Sequence, residues 1–315
     1  MTSYITPPRK VPHITTGDDA FRSKFRSWNI ADLSYVDINE YLKEKDVVLV
    51  PMASTEQHGP HLPLYTDTIT AIEVSARVSE QIGVLHTPPI WTGYSPQHMY
   101  GPGQGRGTIT VRAETLNNLM YDVARSLIHH GFNRVIFVNG HGSNIKVVDP
   151  VLRKLRYETN ALIGFVKPYM ERYTGILAGL MENPPEETPG WHSSELETSQ
   201  DMAWNENLVR MERAVDTRAH TPAFLPKSFS KDDGMPDVEF EGYQYFQFPM
   251  DHHEFVENGI IGNPMRATKA KGEEAFHRYS SHVAKGVLEL MQVPVSVKIA
   301  NLLIESDSNF LVKDL

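Results

Sequence analysis

Three short segments of the chain combine histidine and carboxylate residues at spacings that suit metal chemistry. The first has the sequence STEQHGPHLPLYTD and runs from Ser54 to Asp67, directly after an apolar, β-branched run. Glu56 and His58 stand two positions apart, so in an extended chain both side chains point to the same side and can face one ion. Asp67 precedes a helix-like stretch, and its two carboxylate oxygens suit it to bridge two ions.

The second segment, NGHGSN at 139–144, places His141 between two glycines that let the backbone approach a ligand closely. The third, WHSSELETS at 191–199, offers an acid–base group in His192 and a further carboxylate in Glu195 or Glu197. Taken singly, each has an ordinary structural interpretation, such as a hydrogen-bonded histidine or a solvated helix start. The order of the motifs is more specific than any one of them, and histidine with carboxylate suits Zn, Mn or Fe(II).

Strand and helix patterns alternate around these segments. Apolar, β-branched runs predict buried strands at 46–53, 134–139 and 161–166, with a weaker one at 84–90 that contains two prolines. Amphipathic periodicity predicts helices at 69–78, 116–130, 146–157 and 267–291. This alternation is typical of an α/β fold with a mostly parallel sheet, where ligands gather at the carboxyl ends of the strands. We therefore expect His141 to converge there with the segment from Glu56 to Asp67.

Composition limits the class of protein. The 315 residues predict a single domain over 1–315 with elaborated loops. The 30 Lys and Arg against 39 Asp and Glu give a net charge of −9, which argues against a nucleic-acid partner. The absence of Cys excludes disulfides, thiolate metal sites and cysteine nucleophiles. Without an apolar stretch near the ~20 residues of a membrane span or a signal-peptide core, we expect no membrane association and a cytoplasmic location.

Three irregular regions lie outside these elements, and two of them allow more than one interpretation. Residues 1–25 are expected to form an extended N-terminal arm. The aromatic-rich insertion at 217–263 favours a packed β-hairpin or a subunit contact, with a lid over the site as the alternative. The glycine-rich stretch at 101–107 favours a surface loop, and the alternative places Arg106 over the site as an anion clamp.

Six motifs in a fixed order resemble the creatininase (creatinine amidohydrolase) family over roughly residues 47–286. They are STEQHGPHLPLYTD, GYSPQH at 93–98, GTI at 107–109, NGHGSN, HSSELETS, and GIIGNPMRATKAKGE at 259–273. The family includes creatinine-hydrolysing enzymes, a formamidopyrimidine deformylase and a peptidase that trims a mycofactocin precursor. The resemblance implies a three-layer α/β/α sandwich, two divalent metal ions per subunit, Zn and/or Mn with Fe also possible, and a homo-oligomer, commonly a hexamer.

The resemblance also implies roles for individual residues. One ion would be held by Glu56, Asp67 and His141, and the other by His58, Asp67 and Glu197, with Asp67 as the bridge. His192 would shuttle a proton near the substrate and Glu197 would be the second catalytic residue. The expected substrate-binding residues are Ser95, His98, Ser143, Asn144 and Trp191. Trp191 is equally suited to a core or interface position.

The function expected on these grounds is hydrolysis of a carbon–nitrogen bond, other than a peptide bond, in a small linear or cyclic amide by metal-activated water. Ser143 stands where the creatinine-hydrolysing relatives carry a carboxylate, which argues against creatinine itself. The alternatives are a dinuclear metal lyase or phosphoesterase and a non-catalytic scaffold of the same fold. No phosphate-binding P-loop is visible, and the ligand set is complete, so both alternatives are less favoured.

Overall fold

A four-stranded parallel sheet forms the centre of the computed structural model, which describes residues 19–101, 103–167, 175–182, 192–234 and 236–298. Its strands are β1 (Val47–Met52), β2 (Leu85–His86), β3 (Arg134–Asn139) and β4 (Leu162–Val166). They lie in the order β2-β1-β3-β4, and β1 pairs with β3 in parallel along its whole length. Met52 and Asn139 are therefore register partners, and the two segments that follow them start side by side.

Helices cover both faces of this sheet. They are α1 (Asp19–Arg22), α2 (Tyr35–Leu42), α3 (Thr66–Ile82), α4 (Ala113–His129), α5 (Asp149–Thr159), α6 (Glu195–Asn205) and α7 (Lys269–Met291). Alternate residues of β1 point to opposite faces, so Val48 packs with α4 and α5 while Leu49 packs with α3 and α7. This confirms the predicted three-layer α/β/α arrangement. No helix within the described ranges is long and apolar enough to cross a membrane.

Two local predictions differ from the structure. The strand expected at 84–90 is reduced to the two residues of β2, because Pro88 and Pro89 carry no N–H to continue a ladder. The extended arm expected at 1–25 is wrong for its last residues, since α1 is helical and Phe21 is buried against Tyr41 in the core. Residues 1–18 lie outside the described part of the chain.

The aromatic-rich insertion forms a small antiparallel sheet of its own. Its strands are β5 (Phe229–Ser230), β6 (Asp237–Phe240) and β7 (Tyr243–Gln247), in the order β5-β6-β7. The Phe229 ring stacks on Phe240 at 4.9 Å and meets Phe246 edge-on at 5.5 Å. The packed hairpin that the sequence favours is therefore present. The residues that follow β7 form one wall of a cavity described below.

Gly140 permits an unusually close contact between the sheet and a helix. It follows β3 directly and lies against the first turn of α3. A Cβ atom at this position would stand 2.0 Å from the carbonyl oxygen of Asp67, well inside van der Waals contact. Only glycine allows the end of β3 to approach this closely, and the approach brings His141 beside Asp67.

Candidate metal centre

The carboxyl ends of the strands and two helix starts place six polar side chains together. Glu56 and His58 follow β1, and His141 follows β3 by two residues. Asp67 and Glu197 lie in the first turns of α3 and α6, where the helix dipole favours a negative charge. His192 precedes α6 and is held by a backbone hydrogen bond from the Ile261 N–H to its carbonyl oxygen, at 2.9 Å.

The ionisable atoms of these residues lie close together and are buried. His58 Nε2 is 3.3 Å from Asp67 Oδ1 and 3.7 Å from Glu197 Oε2. His141 Nδ1 is 2.8 Å from Asp67 Oδ2 and 3.3 Å from Glu56 Oε2. Three groups can each present ligand atoms within 4.8 Å of one another: Glu56 with His58 and His192, Glu56 with Asp67 and His141, and His58 with Asp67 and Glu197. The second and third groups have the same members as the two predicted ligand sets.

Backbone carbonyls determine which nitrogen of each histidine faces the cluster. His58 Nδ1 donates to the Glu56 carbonyl at 3.1 Å, and His141 Nε2 donates to the Tyr94 carbonyl at 3.0 Å. His192 Nδ1 donates to the Gly259 carbonyl at 2.6 Å. Because a carbonyl oxygen only accepts, each of these nitrogens carries the ring proton in the neutral tautomer. The other nitrogen of each ring therefore presents a lone pair to the carboxylates, as in metal-ligating histidines.

Several of these inward atoms lack a hydrogen bond. Glu56 Oε2, His58 Nε2 and both oxygens of Asp67 are buried, and no residue of the described ranges hydrogen-bonds to them. The short distance between His141 and Asp67 does not have hydrogen-bond geometry. Buried polar atoms are rarely left without partners, and a lone pair opposite a carboxylate requires a cation between them. The donor set therefore fits divalent metal ions.

The charges of the cluster shift the acidities of its members. Burial opposes the charged form of His58, but Asp67 and Glu197 outweigh it and raise the pKa of His58 well above its usual value. Burial likewise opposes charge on His141, and the attraction of Glu56 and Asp67 raises its pKa to about 9. Burial would raise the pKa of Asp67, but His58 and His141 hold it below its usual range. In the metal-free protein the carboxylates therefore favour the protonated form of both histidines.

A cavity of about 810 Å³ opens onto this cluster. Glu56, His141 and His192 contribute to its lining, together with two of the predicted substrate-binding residues, His98 and Ser143. Residues 247–252 of the aromatic-rich insertion form the opposite wall. Lys146 and Lys167 also line the cavity, whereas Arg106 is exposed and lies outside the lining.

The other predicted substrate-binding residues lie elsewhere. The Ser95 hydroxyl is buried and lies 3.1 Å from His141 Nε2. The Asn144 amide accepts from the Tyr94 N–H at 2.9 Å and donates to the Ala53 carbonyl at 3.2 Å. Both side chains therefore hold neighbouring segments and do not line the cavity. Trp191 lies outside the described residues.

Two carboxylates of the third motif have different surroundings. Glu195 is fully buried and pairs with Lys271 Nζ at 2.6 Å, so it faces away from the cluster. Glu197 Oε2 accepts the Ser193 backbone N–H at 2.6 Å, which holds this oxygen near His58. Helical spacing separates the two side chains, because positions two apart on a helix point in different directions.

Two further residues of the site were missed at the sequence level. Gln57 lies between the two candidate ligands of the first motif, and its amide contacts the rings of His98 and His252 at 3.0 Å each. His252 lines the cavity from the aromatic-rich insertion. The adjacent pair His252 and His253 in a segment already considered as a cover for the site was a signal that could have identified it.

Comparison with known proteins places this arrangement in a family. Residues 31–287 match the creatininase family, described as creatinine amidohydrolase. The chain belongs to the creatininase family. A creatinine amidohydrolase of Pseudomonas putida is 31% identical over 238 residues, which are 72% of this chain and 83% of the relative. A 3-dehydro-scyllo-inosose hydrolase of Thermotoga maritima is 28% identical over 259 residues, which are 81% of each chain.

A solved structure described as "Creatininase Mn" has the same fold as this creatininase-family chain, with a TM-score of 0.66 and 27% identity. The match covers 85% of this chain and all of the other. The family predicted from the six motifs is therefore confirmed, and the chain is a creatininase-family hydrolase. Its relatives carry names that refer to different substrates, so family membership leaves the substrate open.

Proposed function

We propose that this chain is a metal-dependent amidohydrolase that cleaves a non-peptide carbon–nitrogen bond in a small linear or cyclic amide. The observation that carries the proposal is the common orientation of His58, His141 and His192. Each ring donates one N–H to a backbone carbonyl and turns its other nitrogen toward buried carboxylates. Glu56, Asp67 and His141 would hold one divalent ion, and His58, Asp67 and Glu197 the other, with Zn, Mn or Fe(II) all suited to these donors.

When bound, such a pair of ions polarises a carbonyl and lowers the pKa of water toward neutrality. The remaining chemistry belongs to the protein. His192 Nε2 lies within hydrogen-bonding distance of Glu56 Oε1, at 3.3 Å, and the residue lines the cavity. This nitrogen accepts a proton from the attacking water and returns it to the departing amide nitrogen, so that acid and amine are released.

Hydrogen bonds around the cluster determine which atom carries out this proton transfer. The Gly259 carbonyl holds the Nδ1 proton of His192, so only Nε2 exchanges a proton with the substrate. Glu197 was predicted both as a ligand and as a catalytic residue. Its oxygen is held by Ser193 beside His58, which favours the ligand role and leaves the proton transfer to His192.

The experiment is a substrate screen of the enzyme reconstituted separately with Zn, Mn and Fe(II). The panel contains lactams, formamides, cyclic ureas and short peptides, and amine release is the measurement. An inosose is added because the Thermotoga maritima relative is named for hydrolysis of such a compound. Metal-dependent amine release from a non-peptide amide supports the proposal. Turnover of the inosose or of peptides alone, with no amide hydrolysed, would overturn it.

A further inference from the structure

The orientation of one buried amide, that of Gln57, determines the protonation pattern of two histidines. Gln57 is only 5% exposed. Its Oε1 accepts the backbone N–H of Gly59 at 3.0 Å, and a backbone N–H only donates. The amide nitrogen must therefore be the atom that faces His98 Nδ1 and His252 Nδ1, each at 3.0 Å.

The two N–H groups of this amide thus point at two ring nitrogens, which must both accept. In neutral imidazole only one nitrogen accepts and the other carries the proton, so His98 and His252 are both protonated at Nε2. A ring protonated at both nitrogens could not accept at Nδ1, so the two contacts with the amide nitrogen require both rings to be neutral. This pattern is the opposite of that in His58 and His192, which are protonated at Nδ1.

The two Nε2 protons meet different surroundings. His98 Nε2 lies 3.3 Å from Glu56 Oε1, so its proton is directed at a candidate ligand. His252 lines the cavity, and no described residue forms a hydrogen bond with its Nε2. Its ring centroid lies 4.6 Å from that of His192, the proposed proton carrier. An N–H donor therefore faces the space where the reacting part of a substrate must lie.

We propose that His252 is a substrate-binding residue whose Nε2–H donates to an acceptor oxygen of the substrate, and that Gln57 is the positioning residue that fixes this donor. The acceptor is a carbonyl or carboxylate oxygen, and an amine or ammonium group at this place is disfavoured. Away from bulk water such a hydrogen bond is stronger than in water. The assignment rests on the proposed function only in taking the cavity as the substrate site.

The tautomers are tested by neutron diffraction from deuterium-exchanged crystals of the metal-loaded protein. We expect deuterium on Nε2 of His98 and His252 and none on Nδ1. In Gln57→Glu, where both side-chain oxygens only accept, deuterium should appear on Nδ1 of these rings. The matched control is Gln97→Leu, which removes another cavity amide that contacts Ser143 and neither ring, and should leave the pattern unchanged. Deuterium on His252 Nδ1 in the unmodified protein would overturn the role of Gln57.

The donor role is tested by calorimetric binding of acetate and ethylamine to the metal-loaded protein. His252→Phe keeps a ring without a donor, and should weaken acetate binding roughly three- to tenfold, the usual contribution of one hydrogen bond. His252→Gln restores an N–H and should recover most of that loss, whereas ethylamine, which has no acceptor oxygen, should lose no affinity in His252→Phe. Equal acetate affinity in the unmodified protein and His252→Phe would refute the donor role. Neither measurement requires hydrolysis, so a failure of the amidohydrolase proposal would be recognised separately.

Discussion

Metal binding should release protons, because His58 and His141 carry protons where the ions are expected to bind. The pKa of His141 is about 9 and that of His58 is well above its usual value, owing to the carboxylates around them. At pH 7 a group with a pKa of 9 is roughly 99% protonated. Both nitrogens must lose the proton to become ligands, so we expect about two protons released per subunit when both ions bind.

The raised pKa values of the two histidines also determine how metal affinity depends on pH. Below the pKa of the two histidines, each displaced proton strengthens apparent metal binding about tenfold per pH unit. The affinity for the ion that His141 binds should therefore rise roughly tenfold from pH 7 to pH 8 and level off above pH 9, and the affinity for the ion at His58 should also rise with pH. Mn²⁺ is the suitable probe, because it stays in solution over most of this range.

The assay is isothermal titration calorimetry in buffers that differ in ionisation enthalpy. The slope of the observed enthalpy against the buffer enthalpy counts the protons released. Asp201 is also protonated near neutral pH, since burial raises its pKa to about 8, and nearby cations would drive part of this proton off. Asp201→Asn removes that contribution and isolates the two histidines. A slope near zero at pH 7 in this variant would refute the reasoning.

Three further predictions concern single substitutions. Asp67→Ala should remove both metal ions because it deletes the shared ligand, and metal content unchanged by elemental analysis would contradict the bridging role. His192→Ala should keep its metal but lower the rate of amide hydrolysis by about two to four orders of magnitude, whereas near-normal turnover would exclude it as the proton carrier. Asp201→Asn concerns the free energy of unfolding. Because the pKa of Asp201 is raised in the folded protein, its contribution to stability is fully present below about pH 3.8 and is lost as pH rises through about 8. In metal-free protein the wild type should therefore lose about 2 kcal/mol more than the variant between pH 6 and 8, measured by chemical denaturation, and equal losses would contradict the buried-acid interpretation.

Local patterns were sufficient to predict the part of the fold that positions the cluster. The apolar run before Glu56 and the one before His141 are short, buried strands, and parallel strands end at the same edge of the sheet. The position of Asp67 follows from helix α3, which starts at the end of the first motif. These relations depend on neighbours in sequence and on the general geometry of α/β sheets, so no long-range information was needed.

The outer parts of the site depend on contacts that no local pattern encodes. Gln57 and His252 are 195 positions apart and meet only because the aromatic-rich insertion folds over the cavity. Asn144 was expected to contact substrate, yet its amide is occupied by backbone groups that its own segment does not contain. Glu195 resembles Glu197 in sequence, and the partner that separates their roles is Lys271, 76 residues away. Such pairings appear only once the tertiary structure is known.

The close approach at Gly140 has a consequence for engineering this protein toward new substrates. In a library that randomises 139–144, most members would have a disrupted metal centre, because any side chain at 140 would collide with the backbone of Asp67. Diversity is better placed at Ser143 and Gln97, which form a hydrogen-bonded pair at 2.7 Å on the cavity wall. Substitutions that adapt this enzyme to new substrates are thus confined to the cavity wall, whereas position 140 accepts only glycine.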